Sequence, residues 1–268
     1  MYKVPVFHSN KKYWMFLNKL VFGDSINCPI CSCHMRQNYK QKYLWCSGCR
    51  RKYSPTAHKG SWLYGMKLSY RQLFMLLWCW QNKMSPGTTR LKAELSYTTV
   101  QRWYERFRIH TPESIVQLTD LIQADESYFG KQKSVQDQLI VVGAINPVTR
   151  QVALRITNSR SQESIESFVQ DYVAQGALIV SDKWYAYQEL PLLGYSHESW
   201  NHSLGHFAGT NQIEGLWSSI KRYLRKLYGC VPTKQLQSIL NEWTARLNRP
   251  DLFTSPENYL QECLFRVS

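Results

Sequence analysis

A chain of 268 residues with 44% hydrophobic residues is long enough to build two or three domains with buried cores, which excludes a wholly disordered protein. Its net charge of +14 is unevenly distributed: residues 1–112 contain 19 Lys and Arg against 3 Asp and Glu, a balance of +16, and residues 113–268 contain 14 against 16, a balance of −2. Solubility does not require such segregation, so the charge predicts a polyanionic partner bound mainly by residues 1–112.

Targeting and membrane signals are weak in this sequence. The longest apolar run, residues 73–80, is far too short to span a membrane. Residues 1–22 mix Lys, Asn and His with apolar residues, unlike a signal peptide. We therefore expect an intracellular protein with no membrane partner, cytoplasmic and nucleoid-associated if bacterial and nuclear if eukaryotic. In such a compartment, eight cysteines favour metal binding over disulfides.

The first predicted domain, residues 1–60, combines a short helix with a zinc ribbon. The amphipathic helix covers residues 9–22, with Ser9 or Asn10 as its N-cap, and packs either on the following segment or on another subunit. Two Cys-x-x-Cys pairs separated by fourteen residues have the spacing of a structural zinc site with a hairpin between the pairs. The expected zinc ligands are Cys28, Cys31, Cys46 and Cys49. Three cations follow and are expected to touch phosphate: Arg50, Arg51 and Lys52.

The second predicted domain, residues 61–112, has the pattern of a helix-turn-helix. Helical periodicity covers residues 70–82, 88–95 and 98–108. The last of these helices places apolar and aromatic residues on one face and basic residues elsewhere, as in a helix that enters the major groove, although any three-helix bundle has a similar pattern. The expected DNA contacts are Thr98, Thr99, Gln101, Arg102 and Arg106.

The third predicted domain, residues 113–268, is an α/β domain with a mixed sheet. Alternating and apolar patterns predict strands at 121–129, 139–146, 151–157, 177–182 and 192–200. Helices are predicted at 161–174, 183–190, 211–227 and 234–247. The second and third strands form an antiparallel hairpin through the turn at residues 146–149. This is the element order of an RNase H-like fold, in which the fourth strand lies beside the first.

Two aspartates and a glutamate of this domain are candidate metal ligands. Asp125 lies in the first strand and Asp182 ends the fourth, so their carboxylates are expected to meet at one edge of the sheet. Glu214 lies in the first turn of the helix at 211–227, which can pack across that edge. Three hard oxygen donors suit magnesium or manganese, and two such ions can hold the attacking and leaving oxygens of a phosphoryl transfer. The sequence therefore predicts a metal-dependent enzyme that acts on DNA.

Residues around these acids have alternative roles. Asn211 and Glu214 also have the pattern of an N-cap and its capping-box partner, so which of the two holds metal stays open. Glu126 points to the opposite face of the strand from Asp125 and is predicted to be structural or a salt-bridge partner. Cations on the long helix form a predicted phosphate track beside the acids: Lys221, Arg222, Arg225 and Lys226.

Four motifs resemble a known family: Asp-Glu-Ser-Tyr-Phe-Gly at 125–130, Val-Ser-Asp-x-Trp-x-x-Tyr at 180–187, Asn-His-Ser at 201–203 and Thr-Asn-Gln-Ile-Glu-Gly-Leu-Trp-x-x-x-Lys at 210–221. They are similar to those of DDE-type bacterial insertion-sequence transposases related to the eukaryotic Merlin superfamily. The resemblance covers nearly the whole chain, including the ribbon and the helix-turn-helix. It implies a transposase that binds the terminal inverted repeats of a mobile element and catalyses DNA cleavage and strand transfer.

The resemblance also assigns roles to individual residues. It implies that Asp125, Asp182 and Glu214 are the first, second and third catalytic acids. Some relatives have Asn in the third place, which keeps Asn211 as an alternative. Lys221, two helical turns after Glu214, matches a basic position of the family.

The expected cofactors are structural zinc and catalytic magnesium or manganese. The expected partners are double-stranded DNA, as element ends and as target, and further copies of the chain in a homodimer or higher homo-oligomer. A non-catalytic DNA-binding protein derived from a transposase is one alternative, which the intact set of three acids disfavours. A structure-selective nuclease of the same fold is another, which the two predicted DNA-reading domains disfavour.

Overall fold

The chain divides into two compact units, Met1–Pro112 together with Asp251–Ser268, and Glu113–Pro250. We call them unit 1 and unit 2. The computed structural model describes residues 8–58, 60–114, 116–130, 138–200, 210–229 and 233–265. Among these residues, no helix has the length and apolar character needed to cross a membrane.

Unit 1 begins with the predicted amphipathic helix, α1 (Asn10–Phe22). Ser9 is its N-cap, because the Ser9 side chain accepts a hydrogen bond of 3.4 Å from the backbone N–H of Lys12. The apolar face of α1 packs within unit 1: Tyr13 stacks on Phe74, with ring centroids 3.8 Å apart. Of the two predicted arrangements, the structure thus shows α1 packed on the segment that follows it in the same chain.

A three-stranded antiparallel sheet follows: β1 (Arg36–Asn38), β2 (Tyr43–Cys46) and β3 (Arg51–Tyr53). The predicted hairpin between the cysteine pairs is thus present as β1 and β2, and β3 extends it. Side chains alternate along β2. Leu44 and Cys46 are buried in the core of unit 1, whereas Tyr43 and Trp45 are only half-buried on the other face.

Three helices complete this part of the chain: α2 (Tyr70–Gln81), α3 (Pro86–Ala93) and α4 (Tyr97–His110). All three predicted helices are confirmed, with ends shifted by one or two residues. Each begins after a serine whose side chain accepts a backbone hydrogen bond from the first turn: Ser69, Ser85 and Ser96. The helices pack against one another around a core that also contains side chains of α1 and the ribbon.

Unit 2 contains a five-stranded mixed sheet. Its strands are β4 (Leu121–Phe129), β5 (Leu139–Ile145), β6 (Val152–Thr157), β7 (Leu178–Asp182) and β8 (Ser196–Trp200). Their order in the sheet is β6-β5-β4-β7-β8, in which β4, β5 and β6 are antiparallel and β4, β7 and β8 are parallel. The strand that comes fourth in unit 2 therefore lies beside the first, which is the predicted RNase H-like arrangement.

Helices cover both faces of this sheet: α5 (Gln162–Tyr172), α6 (Asn211–Tyr228) and α7 (Leu236–Asn248). One core lies between the sheet and α5, and a second lies between the sheet and the pair α6 and α7. Two short 3-10 turns, Tyr185–Tyr187 and Leu190–Leu193, replace the helix predicted at 183–190. The start of the following strand is correspondingly later than predicted, at Ser196.

The last helix, α8 (Pro256–Cys263), belongs to unit 1. The indole N–H of Trp62 donates a 2.8 Å hydrogen bond to the backbone carbonyl of Cys263, and the Tyr259 hydroxyl donates a 2.6 Å bond to the carbonyl of Phe107. The predicted range 113–268 for the third domain thus extends too far. The reason is physical: the apolar side chains of the C-terminal segment are buried in the aromatic core of unit 1.

Candidate functional site

Asp125 lies in the middle of the central strand β4, on the face covered by α6. It is half-buried, and its Oδ2 accepts a 3.0 Å hydrogen bond from Nε1 of Trp217 on α6. The pKa of Asp125 is raised to about 6, mainly by burial and then by the negative charge of Glu126 and, more weakly, of Asp182. Hydrogen bonds from the Glu126 backbone and from Trp217 oppose this rise. The site therefore holds a carboxylate whose charge is only partly offset by the protein.

Gly143 makes room for the Trp217 indole. It lies opposite Asp125 in the register between β4 and β5. A Cβ atom at this position would lie 2.5 Å from Cη2 and 2.7 Å from Cζ2 of Trp217, closer than real Cβ contacts. Glycine therefore lets the indole lie across the strand and reach the carboxylate. The indole also meets the Phe129 ring edge-on, with centroids 6.0 Å apart.

Asp182 ends β7, the strand parallel to β4. Gln123 lies opposite Val180 in that pairing, so continuing the register by two residues sets Asp182 beside Asp125 on the same face of the sheet. Its Oδ1 accepts a 3.0 Å hydrogen bond from the backbone N–H of Trp184. Strand order thus brings together two aspartates that lie more than fifty residues apart in the sequence.

A side chain from the sheet fixes the start of α6. Oε1 of Gln123 accepts hydrogen bonds from the backbone N–H groups of Gln212 (2.9 Å) and Ile213 (3.2 Å). The first N–H groups of a helix have no partner within the helix, and here β4 supplies the acceptor. Gln123 lies two residues before Asp125, on the same face of the strand. One strand therefore positions both the aspartate and the first turn of α6.

The capping pair predicted at this helix start is wrong. The N-cap is Thr210, and its side chain makes no capping hydrogen bond, whereas Asn211 is the first helical residue and is exposed. The acceptor that a capping asparagine would have supplied comes instead from Gln123. Glu214 is also exposed, and its Oε1 accepts a 3.0 Å hydrogen bond from the Thr210 hydroxyl. Both candidates for the third ligand thus lie at the solvent-facing start of α6.

The three predicted acids are not gathered around one point. Over the residues that the structure describes, the cysteine cluster of unit 1 is the single group of three or more Cys, His, Asp or Glu side chains close enough to share an ion. Asp125 and Asp182 lie on the neighbouring strands β4 and β7, whereas Glu214 lies in the first turn of α6.

Lys221 lies two turns after Glu214 on α6 and is half-buried. Its Nζ is 5.4 Å from the centroid of the Phe129 ring. Burial lowers the pKa of Lys221, and the negative charge of Asp125 opposes this change. Lys221 is therefore part of the electrostatic surroundings of Asp125. The remaining cations of the predicted phosphate track are exposed on the same helix: Arg222, Arg225 and Lys226.

Glu126 is a salt-bridge partner, as predicted from its position on the opposite face. Its buried carboxylate accepts hydrogen bonds of 2.9 Å from the Arg160 guanidinium and 2.7 Å from the Tyr187 hydroxyl. The Arg160 guanidinium in turn lies 4.1 Å from the centroid of the Trp184 ring. The two aromatic residues of the motif after Asp182 thus have packing roles. The predicted motif Asn201-His202-Ser203 lies outside the described residues.

The four predicted zinc ligands form a cluster in unit 1. The Sγ atoms of Cys28, Cys31, Cys46 and Cys49 all lie within 4.8 Å of one another. The Sγ–Sγ distances are 3.8 Å for Cys28 and Cys49 and 3.4 Å for Cys31 and Cys46. A tetrahedral zinc ion with Zn–S bonds of about 2.3 Å separates its sulfurs by about 3.8 Å, so the spacing fits this ion and the cluster could hold it.

The residues of α4 that were predicted to contact DNA differ in their exposure to solvent. Thr98 and Arg102 are exposed, whereas Thr99 and Gln101 are half-buried. Arg106 differs from the prediction: its guanidinium donates to the backbone carbonyl of Trp62 and lies 5.2 Å from the Trp103 ring centroid. The structure therefore gives Arg106 an intramolecular packing role. The cations before and within β3 are exposed: Arg50, Arg51 and Lys52.

The strand order of unit 2 is that of an RNase H-like fold. Residues 117–248 match the family model described as the ISXO2-like transposase domain of IS1595 type. Residues 117–248, about half of the chain, are therefore similar to a DDE-type transposase domain. No protein of curated function matches it in sequence.

Structural comparison matches several solved integrases. The catalytic core domain of HTLV-2 integrase, in complex with magnesium, is 16% identical and covers 55% of this chain and 96% of that chain, with a TM-score of 0.35. The catalytic core domain of BIV integrase is 15% identical and covers 49% and 85%, with a TM-score of 0.36. The simian T-cell lymphotropic virus intasome in complex with PP2A regulatory subunit B56 gamma is 9% identical and covers 72% and 75%, with a TM-score of 0.35.

Sequence reasoning missed three residues that shape the site: Gln123, Gly143 and Trp217. The sequence pattern around Gln123 and Gly143 indicates such roles. A glycine inside an apolar strand marks a close approach of another group, and a glutamine inside an apolar strand needs a buried partner. Trp217 was part of a recognised motif, but its bond to Asp125 depends on how α6 is rotated over the sheet.

Proposed function

We propose that this protein is a DDE-type transposase, which binds the terminal inverted repeats of a mobile DNA element through unit 1 and cleaves and joins DNA through unit 2. The observation that carries the catalytic part is the pair Asp125 and Asp182, which lie two residues beyond the paired residues Gln123 and Val180 of neighbouring parallel strands and whose charges interact. Two half-buried carboxylates on one face of a sheet are costly unless a cation offsets their charge. A carboxylate such as Asp125, whose pKa is raised by burial and by neighbouring negative charge, is typical of catalytic sites.

In this proposal, Asp125 and Asp182 hold magnesium or manganese, and Glu214 completes the set from α6. Carboxylate oxygens are ligands that both ions prefer. Asp125 fits this role because its pKa, raised mainly by burial to about 6, indicates a charge without full compensation in the protein. When bound, the ions stabilise charge on the attacking and leaving oxygens of phosphoryl transfer. Asn211 is the alternative third ligand.

Side chains of α6 would prepare the site for DNA. Trp217 holds the Asp125 carboxylate in one orientation through its indole N–H. Lys221 is close enough to Asp125 for their charges to interact, so it would place a phosphate group next to the acids. Arg222 and Arg225 are exposed further along the helix and would contact the DNA backbone.

Unit 1 would supply DNA recognition. Four thiolates at tetrahedral spacing would hold a structural zinc ion that fixes the ribbon, with Arg50, Arg51 and Lys52 exposed beside it. Thr98 and Arg102 are exposed near the start of α4, where a recognition helix reads base edges, with Thr99 and Gln101 as further candidates. Two or more copies of the chain would act together on paired ends.

Strand transfer with pre-cleaved element ends tests this function. Full-length, zinc-loaded protein would be incubated with magnesium, a plasmid target and duplexes that carry the inverted repeats flanking its own gene. Asp125→Asn and Asp182→Asn should each reduce strand transfer at least a hundredfold while end binding stays within twofold, because each removes a charged oxygen donor without changing shape. Glu163→Gln, on the exposed side of α5, is the matched control and should keep full activity.

Two outcomes would count against the proposal. Full activity of Asp125→Asn would overturn the catalytic assignment. Specific end binding by the wild-type protein without any cleavage or strand transfer would instead support a non-catalytic DNA-binding protein derived from a transposase.

A further inference from the structure

A groove of about 660 Å³ lies in unit 1 between α1 and the ribbon strands β1 and β2. Its lining combines cations with aromatic rings. The cations are Lys11, Arg36 and Lys40, and the rings include Tyr39, Tyr43 and Trp45. No acidic residue lines it within the described part of the chain. The groove thus offers positive charge and flat apolar surface together.

Strand register shows that this composition belongs to one face of the ribbon. Arg36 lies opposite Trp45 in β1 and β2, and Lys52 lies opposite Trp45 in β2 and β3. The three side chains therefore form a row across the sheet, with the indole between two cations. The ammonium group of Lys52 also lies 4.7 Å from the centroid of the ring of Tyr43, two residues before Trp45 on the same face of β2.

The Tyr43 and Trp45 rings do not serve the core of unit 1. The alternate residues of β2, Leu44 and Cys46, are the ones buried in that core, whereas Tyr43 and Trp45 keep part of their surface in solvent. A further ring, Trp14, lines the groove from α1, and its buried indole N–H has no hydrogen-bond partner among the described residues. Half-exposed aromatic rings beside cations are features of a surface that receives a ligand.

We propose that this groove binds an unpaired segment of a DNA strand. The cations would contact phosphates, and the Tyr43 and Trp45 rings would stack on bases. Base pairs inside a duplex are already stacked on each other, so a ring at the protein surface can stack only on a base that has left the duplex. A duplex bound through its phosphates would need the cations alone. The inference rests on the proposed function in one respect, that the bound polyanion is DNA.

Binding of a fluorescein-labelled oligodeoxythymidine of about ten nucleotides to the full-length, zinc-loaded protein tests this inference. Trp45→Leu should weaken this binding about tenfold or more, because one stacked base is lost, while binding of a duplex of equal length stays within twofold. Lys11→Ala should lower the slope of log affinity against log salt by about 0.7, the value for one phosphate contact on a single strand. Lys12→Ala is the matched control, since Lys12 is an exposed neighbour that does not line the groove, and should change neither quantity.

Zinc content of each variant separates loss of the ribbon from loss of the groove. If Trp45→Leu loses zinc, the pair Lys11→Ala and Lys12→Ala decides, because α1 holds no zinc ligand. The inference is overturned if the wild-type protein binds duplex and single strand equally through the same residues. It is also overturned if an oligoglutamate peptide competes as well as the oligonucleotide. Single-strand binding without strand transfer would contradict the proposed catalysis alone, and strand transfer without single-strand binding would contradict only this inference.

Discussion

The indole N–H of Trp217 donates a 3.0 Å hydrogen bond to Oδ2 of Asp125, which links helix α6 directly to the central strand of the sheet. The indole reaches this position because residue 143 of the neighbouring strand is a glycine. The orientation of the Asp125 carboxylate therefore depends on helix α6, on its own strand β4, and on a glycine in the neighbouring strand β5.

Trp217→Phe tests the hydrogen bond. It keeps an aromatic ring but removes the donor, and a hydrogen bond to a charged group contributes about 1.5–3 kcal/mol. Strand transfer should fall about tenfold at unchanged end binding. Because this bond lowers the pKa of Asp125, its loss should move the acidic limb of the rate profile to higher pH. Rates measured from pH 5 to 8 check both effects, and a profile identical to the wild type would refute the role of the bond.

Gly143→Ala tests the close approach. The added Cβ atom would meet the Trp217 ring, so the free energy of unfolding should fall by about 1–3 kcal/mol. In a Trp217→Phe background the loss should be smaller, since phenylalanine lacks the two ring atoms concerned. Gly215→Ala on α6 is the control: nothing lies near its Cβ position, so alanine should stabilise the helix by up to about 1 kcal/mol. Urea unfolding of the wild type, the three single variants and the double variant measures these differences.

The raised pKa of Asp125 predicts a pH-dependent stability. Burial raises this pKa to about 6, so the folded state binds the proton more tightly than the unfolded chain does. Without added divalent cations, this group should therefore lower the stability of unit 2 as the pH rises from about 4 to about 6. Asp125→Asn should remove that decline and have the higher melting temperature at pH 7. Equal melting temperatures across this range would contradict the prediction.

Most elements of the fold were predictable because local chemistry determines them. Each of the helices α1 to α4 follows a serine cap, and the strands of unit 2 follow apolar or alternating runs. The spacing of the cysteines is likewise a local property. The order of elements then implied which strands pair, and so the neighbourhood of Asp125 and Asp182.

The features that the sequence did not predict depend on contacts between distant segments. Gln123 caps a helix that begins almost ninety residues later, so the local pattern at Asn211 was misleading. Arg106 has the character of a phosphate-binding residue, but Trp62 and Trp103 from the folded unit engage it. Such outcomes depend on register and helix rotation, which single-sequence patterns do not determine.

Cys46→Ser should affect more than the ribbon. The cysteine is buried in the same core as the helices of unit 1, so losing one zinc ligand should destabilise this unit as a whole. Unit 2 has separate cores and should stay folded. Thermal unfolding of the variant should show an early transition with loss of bound zinc and an unchanged later one. Cys79→Ser, a buried cysteine outside the cluster, is the control that should retain zinc.

Asn211→Ala and Glu214→Gln identify the third ligand. Asn211 makes no capping bond, so its alanine variant should unfold like the wild type and keep strand transfer within about twofold. Glu214→Gln should lose strand transfer as Asp125→Asn does, with end binding retained. The opposite result, an inactive Asn211→Ala protein beside an active Glu214→Gln protein, would move the third ligand to Asn211.

The position of helix α8 in the sequence determines the order in which the two units can complete their folding during synthesis. The core of unit 1 contains side chains from segments that precede and follow unit 2 in the sequence. All strands of unit 2 have therefore been synthesised before the last segment of unit 1 leaves the ribosome. Until then, Trp62 and Phe107 lack the partners that α8 supplies. A chain interrupted before residue 251 would therefore carry an intact unit 2 beside an unfinished aromatic core, exposed to chaperones and proteases.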